Sequence, residues 1–408
     1  MIPRHGLPFG TRGIVSAIAS PLPAARPSDV EKAYADILGV HAVMLLPSVR
    51  VGIYMTIQAM CEPAMTVVGP AYTCHLVHEA MALNGVRTCL IDAAPKAFLM
   101  PSGITSAITP ATALVLSEIY GIPYDRDILD AVCKQGLRVR ILDMAMSIPS
   151  PERMQRLQAV DVALFSFGWG KPMYAGWGGI ACIEDVELAG KIREVRDRWA
   201  VEQSFGASFS QWCLTLLMVT LNQRSVYGLL HERHLYRWYK HMTSSRNEEE
   251  HPPTPQDDVS RSAPCLAPDV LSHRWTRPMS HLNRKLAVYN LRNAMQHADL
   301  RRRQAEIYAR RLVESGIACG AGINALPQSH FPIRVSPAIR DALCDYLRGR
   351  GIDTGTLFPF STRLNRSCYP HASEAGAEVV TLPLGPTITL NEVEMIATYV
   401  KSGLRALL

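Results

Sequence analysis

Short apolar runs alternate with longer stretches of helical spacing as far as Asp185. Residues 42–46, 66–68, 114–116, 137–141 and 162–165 are mostly apolar, bounded by polar or turn-forming residues, and too short for helices. They read as buried strands. Between them, residues 29–38 (DVEKAYADIL, capped by Ser28 or Asp29), 51–60, 78–84 and 127–135 carry the spacing of helices. Strands alternating with helices predict a largely parallel sheet covered by helices, an α/β fold.

Beyond Asp185 the pattern loosens. Residues 212–221 are strongly apolar, but about ten residues cannot span a bilayer that needs about 20, so no stable membrane insertion is expected. The stretch RSVYGLLHERHLYRWYKH (224–241) is basic and aromatic; it suits a helix buried at a subunit interface better than one lying on a membrane surface. Residues 244–268, with a glutamate run and many prolines, read as a mobile loop. Helices are expected again over 279–295, 300–312, 338–348 and 390–404, and strands over 331–335 and 379–382. Residues 1–27, punctuated by Pro and Gly, look like an extended arm, either packed on a partner subunit or frayed.

Composition narrows the function classes. A chain of 408 residues, 48% hydrophobic and 19% charged, is long enough for a large core and two domains, and its balance is that of a soluble globular protein. The net charge of +6 suits an anionic cofactor or substrate, yet no basic block points to nucleic acid. Ten scattered cysteines without CxxC pairs suggest neither a disulfide framework nor a metal site, and fit a reducing cytoplasm. The start, MIPRHGLPFGTRGIV, has no continuous apolar core of a signal peptide.

Candidate chemistry concentrates in DVALFSFGWGKPMYAGWGGIACIED (161–185). A strand ends at Ser166; Gly168 and Gly170 precede a lone Lys171, and Gly176, Gly178 and Gly179 lead into a second apolar run. Glycines let main chain approach a ligand closely, and a lysine partly removed from water suits Schiff-base chemistry. A strand-edge lysine beside a hairpin would look the same locally. The preceding strand changes the balance, since it ends at Asp143 in ILDMAMS. A carboxylate at the carboxyl end of a buried strand is where open α/β sheets contact ligands, and can hold a protonated pyridine nitrogen.

Asp143, then Ser166-Phe167-x-x-x-Lys171, then Gly176-x-Gly178-Gly179 resembles the DegT/DnrJ/EryC1/StrS family of pyridoxal-phosphate aminotransferases, whose pattern is an aspartate segment, S-F-x-x-x-K and G-E-G-G. The resemblance runs in order from about residue 30 to the end, apart from 200–270. It implies a fold-type-I α/β enzyme with an arm (1–27), a large cofactor-binding domain (28–270), a linking helix (271–300) and a small α+β domain (301–408). It implies pyridoxal 5'-phosphate as cofactor, Lys171 as the Schiff-base lysine, Asp143 as partner of the pyridine nitrogen and Ser166 as a phosphate ligand.

Where that family reads S-G-T at the phosphate corner, this chain has Pro47-Ser48-Val49, leaving the Ser48 hydroxyl and the local amides around Val49, with Arg50 as a possible added charge. The family's P-x-x-T is matched by Gly69-Pro70-Ala71-Tyr72-Thr73, with Cys74 where an aromatic ring often stacks on the pyridine and Tyr72 and His75 as nearby replacements. Ile119-Tyr120-Gly121-x-Pro123 matches its L-Y-G-x-P turn. Glutamate as amino donor, a keto-sugar (nucleotide-linked in the usual case) as acceptor, and a homodimer with interfacial active sites follow from the resemblance. Two departures stand out: the family's D-x-A-Q ends here in Met146, and the glutamate of G-E-G-G is Trp177. These keep open a non-sugar ketone or aldehyde as acceptor, or a non-catalytic pyridoxal-binding regulator.

Overall fold

The computed structural model describes the chain except residues 20–25, 61, 63, 102–103, 105–107, 156–158, 200–203, 231–275, 320–326 and 362–363. Apolar runs become a seven-stranded sheet: β1 (Ala42–Leu46), β2 (Thr66–Pro70), β3 (Arg87–Ile91), β4 (Thr112–Ser117), β5 (Val139–Asp143), β6 (Val162–Ser166) and β7 (Gly179–Ile183), in the order β1-β7-β6-β5-β4-β2-β3. All neighbours pair in parallel except β7, which runs antiparallel between β1 and β6. Gly179 therefore pairs with Leu46 on one side and Ser166 on the other.

The sheet is covered on both faces, which is why its strands are continuous apolar runs. One face packs on the helices Pro27–Leu38 and His281–Val313 through Tyr34, Leu38, Leu286 and Leu291. The other packs on Val49–Ala59, His75–Ala82 and Val186–Arg198 through Ile53, Ile57, Val77 and Ile192. A second, two-stranded antiparallel sheet, β8 (His330–Arg334) with β9 (Val379–Pro383), has its own core with Pro337–Arg348 and Leu390–Leu407. This is the mixed α/β architecture that the alternation of elements implied.

Three local expectations change. The helices expected over 279–295 and 300–312 are one, His281–Val313, whose first half lies in the large core and whose second half (Ala305, Tyr308, Leu312) lies in the small one. The arm is not wholly extended: Thr11–Ala19 is a helix with Ile14 and Ala17 buried, and the residues before it form no helix. The apolar stretch 212–221 belongs to a longer helix, Phe205–Leu221. Of the basic, aromatic segment 224–241, residues 224–230 form a helix, while the rest and the loop 244–268 lie outside the described residues. No described helix is long and apolar enough to cross a membrane.

Candidate active site

β4, β5 and β6 end side by side, with Ser117 opposite Asp143 and Asp143 opposite Leu164. The Asp143 carboxylate is 8% exposed. Its Oδ1 accepts from the Ala145 amide at 2.9 Å and its Oδ2 from the Ser117 hydroxyl at 3.5 Å, while Thr73 Oγ1 donates to Ser117 at 3.1 Å. Burial pushes this carboxyl above the usual range, and the positive charge of Lys171 is the largest influence in the opposite direction. Beneath it, the Glu118 amide donates to the Asp143 carbonyl, and the Glu118 carboxylate is held by Arg153 at 2.5 Å and the Ser147 hydroxyl at 2.9 Å.

Lys171 sits in the turn that reverses β6 into β7. Phe167 N donates to Gly178 O and Ala175 N to Phe167 O, closing the turn, while Lys171 N donates to Gly168 O inside it. Three glycines are required there. Gly170, just before the lysine, has φ +73°; Gly176 has φ +92°, where a Cβ would lie 2.2 Å from Asn283 Nδ2 and Thr215 Oγ1; and Gly178 has φ +95°, where a Cβ would lie 2.4 Å from Met279 Sδ. Lys171 Nζ donates to Met146 Sδ at 2.9 Å and stands 5.8 Å from the centre of the Phe358 ring.

The phosphate-corner candidates lie at the same edge, because Gly179 bridges the strand of Leu46 to that of Ser166. Ser48 caps the helix Val49–Ala59, accepting from Val51 N at 3.3 Å; Ser166 accepts from Gly168 N at 3.2 Å. Each hydroxyl keeps its hydrogen to donate, and first-turn amides of a helix face outward by construction. Val49 is buried at that first turn. Arg50 pairs with Glu79 at 3.4 Å.

Cys74 caps the helix His75–Ala82 and feels both Lys171 and Asp143; burial raises its thiol. Tyr72 goes elsewhere. Its ring stacks on Phe98 (5.7 Å between centroids) and its hydroxyl meets that of Tyr120 at 2.8 Å, in an apolar seam with Ala372, Ala375 and Val379. Trp177, at the position of the family's glutamate, donates its indole N–H to the Arg277 carbonyl at 2.9 Å.

Three site residues had no signal in the sequence. Phe358 reaches Lys171 from the segment after Gly355, with φ +60°. His5, from the start of the chain, and His330, from β8, meet at 3.2 Å between Nδ1 and Nε2. Both imidazoles are pushed down by burial, His5 to about 3, and Lys171 is among the charges acting on each.

The chain is similar to known proteins over much of its length. Residues 25–211 match the model of the DegT/DnrJ/EryC1/StrS aminotransferase family. The chain is 25% identical over 350 residues to the erythromycin biosynthesis sensory transduction protein EryC1 of Saccharopolyspora erythraea, covering 83% of this chain and 78% of that one. It is 34% identical over 140 residues to the UDP-N-acetyl-3-dehydro-alpha-D-glucosamine 3-aminotransferase of Acidithiobacillus ferrooxidans, covering 33% of this chain and 38% of that protein. The crystal structure of the aminotransferase TlmJ from Streptoalloteichus hindustanus superposes with a TM-score of 0.69 at 20% identity over the full length of both chains. Motifs, matched segment and fold agree: residues 25–211 are similar to the DegT/DnrJ/EryC1/StrS aminotransferase family, and the whole chain shares the fold of TlmJ.

Proposed function

We propose that the protein is a pyridoxal-phosphate-dependent aminotransferase that moves an amino group, with glutamate as donor, to a keto-sugar. The observation that carries this reading is the convergence of Lys171 and Asp143 at one end of adjacent strands, where the charge of Lys171 opposes the burial that raises the Asp143 carboxyl. The relative from Acidithiobacillus ferrooxidans is named for amination of a nucleotide-linked keto-sugar, which supports that acceptor class.

The residues fit the cofactor. Asp143 is a buried carboxylate whose burial outweighs the compensation it receives, so a protonated ring nitrogen beside it would supply the missing positive charge. Ser166, Ser48 and the amides around Val49 form a set of neutral donors suited to a phosphate. When bound, pyridoxal phosphate supplies an aldehyde that condenses with amines and a ring that takes up the electrons left by deprotonation.

This chain does the rest. Asp143 keeps the ring nitrogen protonated, held in line by Ala145 N and by Ser117, which Thr73 orients in turn. Lys171 Nζ is the amine placed to hold the cofactor and, once free, to take a proton from the donor's α-carbon and return one as general base and acid. Phe358 and Met146 shield Nζ from water on two sides.

The working unit in this reading is a homodimer with the active site at the interface. Phe205, Phe209, Leu214 and Leu217 of one helix are each more than half exposed among the described residues, as apolar side chains at an interface would be. Two other readings have an observation each. Apolar Met146 and Phe358 around Nζ favour a non-sugar ketone or aldehyde, and the name of the EryC1 relative favours a pyridoxal-binding regulator. An absorbance scan decides the latter: loss of the cofactor's visible band on adding glutamate supports transfer, and a band inert to every amine sinks it. A panel of keto-sugars and simple ketones against the aminated cofactor form then separates the acceptors.

A further inference from the structure

Arg4 donates to Asp353 Oδ1 and Thr354 O, Asn222 Nδ2 donates to His5 O, and Arg301 Nη2 donates to Gly6 O at 2.5 Å. Ile2 bridges Ile352 in parallel. The backbone of residues 2–6 is thus tethered at several points that do not involve the His5 ring. That ring is free to serve another purpose.

It occupies the space above Gly170. A Cβ on Gly170 would lie 2.9 Å from His5 Nδ1 and 3.0 Å from Cε1, so the imidazole fills the volume where any other residue would carry a side chain. Trp169 meets the same ring edge-on at 5.6 Å. The same Nδ1 shares a hydrogen with His330 Nε2, and His330 Nδ1 bonds the Ser329 hydroxyl at 3.2 Å. One hydrogen between two nitrogens requires at least one unprotonated nitrogen in that contact, and burial with the neighbouring positive charges keeps both rings neutral. The chain Ser329–His330–His5–Gly170 therefore runs without a break from β8 to the residue before Lys171.

We propose that His5 is a positioning residue for Lys171: bonded to His330, its ring buttresses the Gly170 backbone and ties the placement of the lysine's turn to the small sheet. The proposal rests on Lys171 being the reactive amine. Its physical content is that the turn 168–174, closed by its own backbone bonds, takes lateral support at Gly170 from the His5 ring, and that this support sets where Nζ stands when the substrate arrives. Displacement of a reacting group by about 1 Å costs about 100-fold in rate, so even partial loosening is measurable.

The test uses full-length His5→Ala and His5→Asn, the latter offering an amide nitrogen or oxygen near the place of Nδ1. In cofactor-free protein, hydrogen–deuterium exchange across 168–174 should rise in His5→Ala and return toward wild type in His5→Asn. In the loaded enzyme, kcat should fall on the order of tenfold in His5→Ala with KM for donor and acceptor unchanged, and recover in His5→Asn. Wild-type exchange and kcat in His5→Ala overturn the proposal. So does an Asn variant as impaired as the Ala variant, or a loss confined to KM, which would make His5 a substrate contact. Borohydride trapping of the wild-type cofactor on a different lysine would instead remove the reading on which the proposal rests, whatever the exchange shows.

Discussion

The ammonium of Lys171 donates to the thioether of Met146 across 2.9 Å. Sulfur is a weak acceptor, so this contact orients Nζ without holding it firmly. The resembling family has glutamine at that position, and an amide carbonyl would bind the ammonium more tightly. A loosely held amine suits a group that must leave its resting contact in each turnover.

Lys171→Ala should therefore lose the cofactor adduct fixed by borohydride, together with essentially all turnover, while keeping a native melting profile. Mass spectrometry of the reduced protein reads the first directly. An adduct retained in the variant would assign the covalent attachment to another residue.

Asp143→Asn should fold and bind cofactor but turn over far more slowly, since a preorganised charge contact of this kind contributes on the order of 3 kcal/mol in the transition state. Ser117→Ala removes only one neutral donor to that carboxylate, so a loss of about 1 kcal/mol is expected. Rates of the donor half-reaction check the order of the two. Equal rates in wild type and Asp143→Asn would dismiss the assignment.

Acid should destabilise the protein in a window that His5 helps to set. The folded imidazole is pushed down to about 3, whereas the unfolded one titrates near 6.5. Between these values the unfolded chain binds more protons, so stability is full above about 6.5 and falls as the pH drops toward 3. Melting temperatures at pH 7.5 and 4.5 should differ less in His5→Asn than in wild type. His330, held neutral in the same way, preserves part of the slope.

Sedimentation should give a dimer at assay concentration. Trp177 fixes the Arg277 backbone, and the Arg277 side chain is only half-buried in its own subunit, where it is available to a neighbour. If it completes the neighbouring site, mixing inactive Lys171→Ala with inactive Arg277→Ala should restore part of the activity. No recovery despite demonstrated subunit exchange would confine Arg277 to its own chain.

The sheet was legible because its inner strands are buried on both faces and so stay largely apolar, as in β4 and β6. The lysine turn was legible because glycines must stand at Gly170 and Gly176. The long helix was not. Its core-facing positions in the middle are Arg301 and Gln304, buried at 1% and 0% exposure and bonded to backbone carbonyls of Gln328, Ser329, Leu384, Gly385 and Ile388. Polar residues on the inner face erase the apolar period there, so one helix read as two. The His5–His330 pair was beyond reach for another reason: 325 positions separate the two residues, and neither belongs to a motif.

The single antiparallel strand has a consequence for how the molecule is made. β1 lies at the edge of the sheet and pairs with β7, Ala42 opposite Ile183, so it has no strand to join until the ribosome has released the hairpin that follows Ser166. The serines at 48 and 166 become neighbours only when that hairpin wedges between them. Pairings so distant along the chain are slow to close. The phosphate corner should thus be among the late events of folding, and β1 a waiting edge until β7 arrives to pair with it.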